Sequence, residues 1–267
     1  MLAARTPPPR GTLRCLRNEV NLGPGPSRNR AIDAASEEFI LFLDADDLIH
    51  RDAFSCLADA LPRGETDFTL FRHHLVTRAD TPFTYRMMAQ DEAAWAAARS
   101  SAGARAAGLT GALTLIDAPS LAGMVNFPWT RLFRTDFLRA HDLRFPDLRL
   151  HEDVPFHWAA WLAARRFHAL DHAPPLVHHF QLDRGGRATD AADTRRLDAF
   201  RALEMTLDAH PRLSRDPVLA PVFRTFAAGL IDWALARLAG GPYAAAALAQ
   251  AEALAARLAP HKALADA

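Results

Sequence analysis

Apolar residues run unbroken through Phe39-Ile40-Leu41-Phe42-Leu43 and then give way to Asp44, Asp46 and Asp47. A short, wholly apolar run rich in β-formers predicts a strand buried on both faces, as in the middle of a parallel sheet covered by helices. Such strands deliver ligands to their carboxyl ends. Ahead of this strand, the punctuated loop Asn21-Leu22-Gly23-Pro24-Gly25-Pro26 leads into a helix over 27–35, with Pro26 or Ser27 at its start. Behind it, Leu48, Phe54, Leu57, Ala58 and Leu61 form a helical stripe ended by Pro62. Residues 67–76 alternate well enough for a strand, and the Ala-rich 91–107 reads as a helix.

Further along, Pro119 fits the first turn of a helix, 129–133 a strand, and Thr135-Asp136 the cap of a short helix reaching about His141. A helix is predicted from Asp153, because Phe156, Trp158, Ala159, Trp161 and Leu162 make a broad apolar face and Pro155 suits the first turn. Two apolar segments, 167–170 and 176–180, flank Pro174-Pro175 and read as the strands of a late hairpin or ribbon. Leu182 to Thr189 is a basic, Gly-containing loop that suits either a linker or a closing lid. From Asp190 onward the pattern is helical in about three segments. The boundaries drawn are therefore 1–189 for an α/β domain and 190–267 for an all-helical region.

Composition narrows the partners. Of 267 residues half are hydrophobic, enough for a sizeable core, and 31 basic residues balance 31 acidic ones. No basic block is interleaved with aromatics, so no nucleic-acid partner is expected. Cys15 and Cys56 stand far apart in no CxxC pattern, which fits a reducing compartment. Residues 1–10 hold three consecutive prolines and no apolar stretch of the signal-peptide kind. The most apolar long window, 221–239, is interrupted by Arg224, Asp232 and Arg237 and reads as a buried or surface-lying helix. The expectation is a cytoplasmic protein.

The acids suggest chemistry. Three carboxylates at one strand end repel one another unless something positive sits between them, and Mg²⁺ or Mn²⁺ carrying a phosphorylated substrate is the obvious candidate. The plainer alternative is that Asp46 or Asp47 caps the helix expected near Ile49. Arg28, in the first turn of the preceding helix, suits either the central carboxylates or a substrate phosphate or sugar, or simply an exposed surface. Gly23-Pro24-Gly25 is not read as a phosphate loop, since Pro24 and Pro26 remove the N–H donors a nest needs. Glu152-Asp153 fits helix capping or acid–base work. The histidines His73, His74, His151, His157, His172, His178 and His179 show no zinc-ligand spacing.

Taken together, the chain resembles the family 2 glycosyltransferases, inverting enzymes of the GT-A fold common in bacterial polysaccharide assembly. The resemblance rests on Asn21 and Gly23 followed by Ser27-Arg28-Asn29, on Phe39 to Asp47 with its Leu-Asp-x-Asp-Asp ending, and on Trp129 to Phe137, Phe145-Pro146 and Glu152-Asp153. It covers Asn21 to about Thr189. It implies an α/β, GT-A-like, mostly parallel sheet flanked by helices, with an all-helical C-terminal extension. Only 20 residues precede Asn21, and none forms the family's first nucleotide-binding strands, so the fold is expected to be N-terminally truncated.

The resemblance further implies a sugar moved from a nucleotide-diphosphate donor to a glycan or lipid-linked acceptor hydroxyl, with contact at the inner membrane face where such acceptors sit. In that reading Asp153 is the catalytic base, and Asn21, Arg28, Asn29, Asp44 and Glu152 contact substrate. Asp46 and Asp47 hold the divalent cation, Mn or Mg, with His178 or His179 completing its shell. Two alternatives stand beside it. One is a non-catalytic module of the same fold without donor binding. The other, a nucleotidyltransferase, is disfavoured by Pro24 and Pro26. The helices of 190–267 are expected to pack on the catalytic domain, dimerise or meet the membrane surface.

Overall fold

A computed structural model describes residues 12–61, 66–76, 85–101, 109, 111–180 and 191–259. The predicted lid or linker, Leu182 to Thr189, lies outside the described residues. Helix α1 (Pro24–Ala34) leads to strand β1 (Phe39–Leu41), whose antiparallel partner is β6 (Arg131–Arg134). Strand β3 (Phe68–Phe71) pairs antiparallel with β6 and parallel with β7 (Phe167–Leu170), giving the sheet order β1-β6-β3-β7. A second sheet runs β2-β8-β4-β5, from β2 (Leu48–Ile49), β8 (Val177–Phe180), β4 (His73–Val76) and β5 (Tyr85–Arg86).

The α/β class with flanking helices is as expected, but the pairing is mixed. Only β3 with β7 and β4 with β8 are parallel; the other ladders among the described strands are antiparallel. The reason is β6, which inserts between β1 and β3 running against both. Strand β1 is accordingly an edge strand among the described residues, with Ile40 and Phe42 turned inward and Leu43 exposed.

Three predicted elements change shape. The stretch 67–76 is two strands, broken at Arg72, where the chain leaves one sheet for the other. All four residues of β3 are buried, so it is covered on both faces and does not alternate. The predicted hairpin of 167–170 with 176–180 does not form. Strand β7 follows β3 in the first sheet and β8 follows β4 in the second, so the two ribbons change sheet side by side. The amides of Leu176 and His50 tie this crossing together, donating to Arg72 O at 2.9 Å and Leu176 O at 2.8 Å. Finally, Leu48 and Ile49 belong to β2, and helix α2 (Ala53–Ala60) starts only beyond them, because ladder bonds to Val177 and His178 outweigh the helical stripe.

Helices α3 (Ala89–Ser100), α4 (Thr135–Ala140) and α5 (Asp153–Ala163) flank the sheets, with 3₁₀ turns at Pro119–Gly123 and Pro128–Thr130. The core is aromatic: Phe68 stacks on Phe167 at 5.5 Å, and Trp161 meets both rings edge-on at 5.0 and 4.8 Å. After a 3₁₀ turn at Thr194–Leu197 come α6 (Asp198–Ala209), α7 (Leu219–Leu238) and α8 (Ala244–Leu258). Helix α7 is long and apolar enough to cross a membrane by length and composition. In the fold it packs on the 119–123 turn and on α8, burying Phe223, Ala227, Ile231 and Ala234. The buried side chains of α6, α7 and α8 join one hydrophobic core with those of the sheets.

Candidate active site

The site is assembled on Arg28. Helix α1 begins with two prolines, whose missing N–H groups cost nothing in a first turn. The turn before it is set by Gly23 at φ 82°, whose amide donates to Asn21 Oδ1 at 3.0 Å, while Ser27 Oγ donates to Gly23 O at 2.7 Å. Asn21 thus shapes the helix start. Arg28, one turn in, donates from NH2 to Asp44 Oδ1 at 2.8 Å and from NH1 to Glu152 Oε1 at 2.6 Å. Its guanidinium lies over Phe145 at 5.3 Å. Burial works against its charge, but Asp44, Glu152 and Asp153 outweigh that and hold its pKa above the ordinary arginine value.

Asn29 is used on the backbone: its amide donates to Phe145 O at 2.8 Å and accepts from Phe145 N at 2.9 Å. It is a strut between α1 and the 145–146 segment, which carries Phe145 under Arg28. Gly25 lets the same two segments touch. A Cβ there would lie 2.7 Å from Pro146 O and 3.2 Å from Glu152 Cγ.

Glu152 and Asp153 open α5, as the apolar face predicted. Two opposed effects act on Asp153: a helix N-terminus lowers a carboxylate's pKa and burial raises it. Burial wins. It pushes the Asp153 carboxyl up to about 8, with the neighbouring Glu152 charge adding to the rise and Arg28 and a hydrogen bond from Asn126 opposing it. Burial raises Glu152 as well, against the restraint of Arg28. Asn126 had no mark in the sequence beyond its place just before the aromatic run at Phe127 and Trp129.

The three acids after β1 diverge. Asp44 is tied to Arg28, Asp46 is exposed and Asp47 is buried. Asp47 Oδ1 accepts from Phe180 N at 3.2 Å and lies 2.8 Å from His179 Nδ1, while its buried Oδ2 has no hydrogen-bond partner among the described residues. Of the two late histidines, His179 is the one that returns to the acids, its ring against Phe127 at 5.3 Å and Trp129 at 5.2 Å. Among the described residues no three His, Cys, Asp or Glu side chains converge as a metal cage. The donor set fits a hard cation that takes most of its ligands from phosphate and water: a buried carboxylate oxygen without a partner among the described residues, and an exposed carboxylate one residue before it in the chain. His73, by contrast, packs beneath Trp129 at 5.0 Å, and burial lowers its pKa to about 3.

Comparison with known proteins bears out the resemblance. Residues 8–118 match the family model described as Glycosyl transferase family 2. That stretch contains Arg28 and the Asp44–Asp47 acids, whereas Glu152 and Asp153 lie beyond it. Poly(ribitol-phosphate) beta-N-acetylglucosaminyltransferase TarS of Staphylococcus aureus strain MW2 is 26% identical over 165 residues, covering 58% of this chain and 25% of the relative. The TarS of strain Mu50 / ATCC 700699 matches to the same extent. The chain thus spans about a quarter of the length of the curated relatives it matches. Among solved structures, S. aureus TarS 1-349 in complex with UDP-GlcNAc aligns at 19% identity with a TM-score of 0.49, over 85% of this chain and 68% of that one.

Proposed function

Taking the family 2 match as premise, we propose that this chain transfers a sugar from a nucleotide-diphosphate donor to an acceptor hydroxyl with inversion, in the assembly of a cell-surface polymer. The observation that carries the reading is the partly buried Asp153 carboxyl at the start of α5, raised in pKa beside Glu152, which Arg28 joins to Asp44 beyond the end of β1. Inverting transfer needs this pairing: a base on one side of the sugar and a diphosphate anchor on the other.

In the reaction, the acceptor oxygen forms its bond to the anomeric carbon as the bond from that carbon to the diphosphate oxygen breaks. The hydroxyl proton passes to Asp153, and the nucleoside diphosphate departs with the electron pair. A carboxylate partly withdrawn from water beside a second acid is a stronger base than one free in water, which suits it to a weak acid such as an alcohol. Asn126 holds it by a hydrogen bond, and the Glu152 charge raises its basicity. Asp46 and Asp47 would hold a divalent cation, which when bound neutralises charge growing on the leaving diphosphate. Arg28 sits between anchor and base and keeps the acids from repelling one another. An N-acetylglucosamine donor and a polyol-phosphate acceptor are proposed from the named activity of the S. aureus relatives.

The test uses UDP-GlcNAc and Mn²⁺. Asp153→Asn is expected to lower turnover by about 10²–10⁴-fold while leaving the affinity for UDP within a few-fold. Retained turnover in that variant refutes Asp153 as the base. Calorimetry with UDP and Mn²⁺ should give heat that Asp46→Ala loses; no heat from the wild type counts against a working donor site.

A further inference from the structure

We propose that Arg196 and His151 are positioning residues, through which the C-terminal helical region fixes the segment that presents Glu152 and Asp153. The proposal deepens the glycosyl-transfer reading and rests on it.

The segment 149–151 is gripped from α6 and the turn before it. Asp198, the first residue of α6, accepts with Oδ2 from the amides of Arg149 at 2.8 Å and Leu150 at 3.2 Å. The next residue, His151, has φ 62°, in the left-handed region that favours glycine or asparagine. A histidine stays there only where its surroundings hold it. Arg196 NH1 lies 3.1 Å from His151 Nε2, and the ring edge meets Trp233 of α7 at 5.5 Å. Arg196 is itself buried, with Nε donating to Ala191 O at 3.0 Å and its guanidinium over Trp233 at 4.0 Å.

A guanidinium only donates, so His151 Nε2 accepts and the ring proton sits on Nδ1. Burial, then the Arg196 charge, lowers the His151 pKa to about 4, in keeping with a neutral ring. The carbonyl of His151 accepts the amide of Val154 at 3.1 Å, so the conformation held by Arg196 is the one that starts α5. Asp153 stands inside that turn. Residues more than forty positions downstream therefore aim the base without touching it.

Three full-length variants separate positioning from mere support. Arg196→Met keeps an apolar stem over Trp233 and deletes the donor; His151→Ala removes the ring from a strained backbone; His151→Asn keeps an acceptor and tolerates the left-handed region. Each is assayed for UDP release from UDP-GlcNAc with Mn²⁺, for UDP affinity, and for amide exchange. Arg196→Met and His151→Ala should lower kcat by about 10–100-fold with UDP affinity within about threefold, and His151→Asn should stay close to wild type. The amides of 150–154 should exchange at least about tenfold faster in the first two variants, with β3 unchanged. Wild-type kcat and unchanged exchange in Arg196→Met overturn the proposal, as does a loss of protection that extends through β3. If the wild type releases no UDP, the transfer reading fails, and the exchange measurement alone decides the positioning.

Discussion

Arg28 holds two carboxylates on one guanidinium, and both partners are largely withdrawn from water on the Glu152 side. Removing one member of a buried pair leaves the other charge uncompensated, typically at a cost of about 3–5 kcal/mol. Arg28→Met should therefore lower stability by about 3 kcal/mol in urea unfolding, and Arg28→Met with Glu152→Gln should recover part of that loss. Additive losses in the double variant would show that the pair does not act as a unit. Asp153 has its own signature. Its folded pKa is raised above the ordinary carboxylate value, so the stability gained from keeping it neutral is complete only below that ordinary value and is lost progressively as pH rises from there through about 8. Asp153→Asn should melt close to wild type near pH 4 and gain on it progressively as pH rises to about 8, levelling off above that. Turnover should move the opposite way, rising with pH as the base deprotonates; a flat profile between pH 6 and 9 would exclude Asp153 from the proton transfer.

At the scale of elements, the contact between α1 and the 145–146 segment admits nothing larger than hydrogen at Gly25. The nearest atom to an added Cβ is a backbone carbonyl, Pro146 O, which cannot swing aside. Gly25→Ala should cost about 1–3 kcal/mol, lowering the melting temperature by roughly 5 °C, and should reduce UDP release further by displacing Glu152. A melting point equal to wild type would mean the two segments separate freely.

The same scale shows what the sequence could tell. Helices α1 and α5 were legible because prolines in a first turn and the apolar face of α5 are local signals, although α1 begins at Pro24, ahead of the expected start; Arg28, Glu152 and Asp153 came with them, and Asp44 with the apolar run of β1. The partners of β7 and β8 were not, because an apolar run announces a strand without naming its neighbour, and the hairpin suggested by Pro174-Pro175 gave way to pairing with β3 and β4. Asn126 and Arg196 were not legible for a similar reason. Each meets the Glu152–Asp153 segment only after long stretches of chain have folded, and neither carries a motif of its own.

For the molecule as a whole, one hydrophobic core runs from Ile32 through the sheets to Leu258. Aromatic residues of α5 meet α7 directly, Trp158 against Phe223 at 4.8 Å and His157 stacked on Phe226 at 5.7 Å. Calorimetry should therefore show one cooperative transition, with calorimetric and van't Hoff enthalpies in agreement. Two separated transitions would mean that the C-terminal helices melt independently of the sheets.

The side-by-side crossing of the two ribbons bears on how the chain is made. Strand β3 finds β7, and β4 finds β8, only after about a hundred further residues have left the ribosome. Until then Phe68 to Phe71, four residues destined for complete burial, lack the neighbour that covers one edge. Synthesis thus passes through an interval in which a greasy half-built sheet must be shielded, and the yield of soluble protein depends on the speed of translation and the supply of chaperones as well as on the stability of the finished fold.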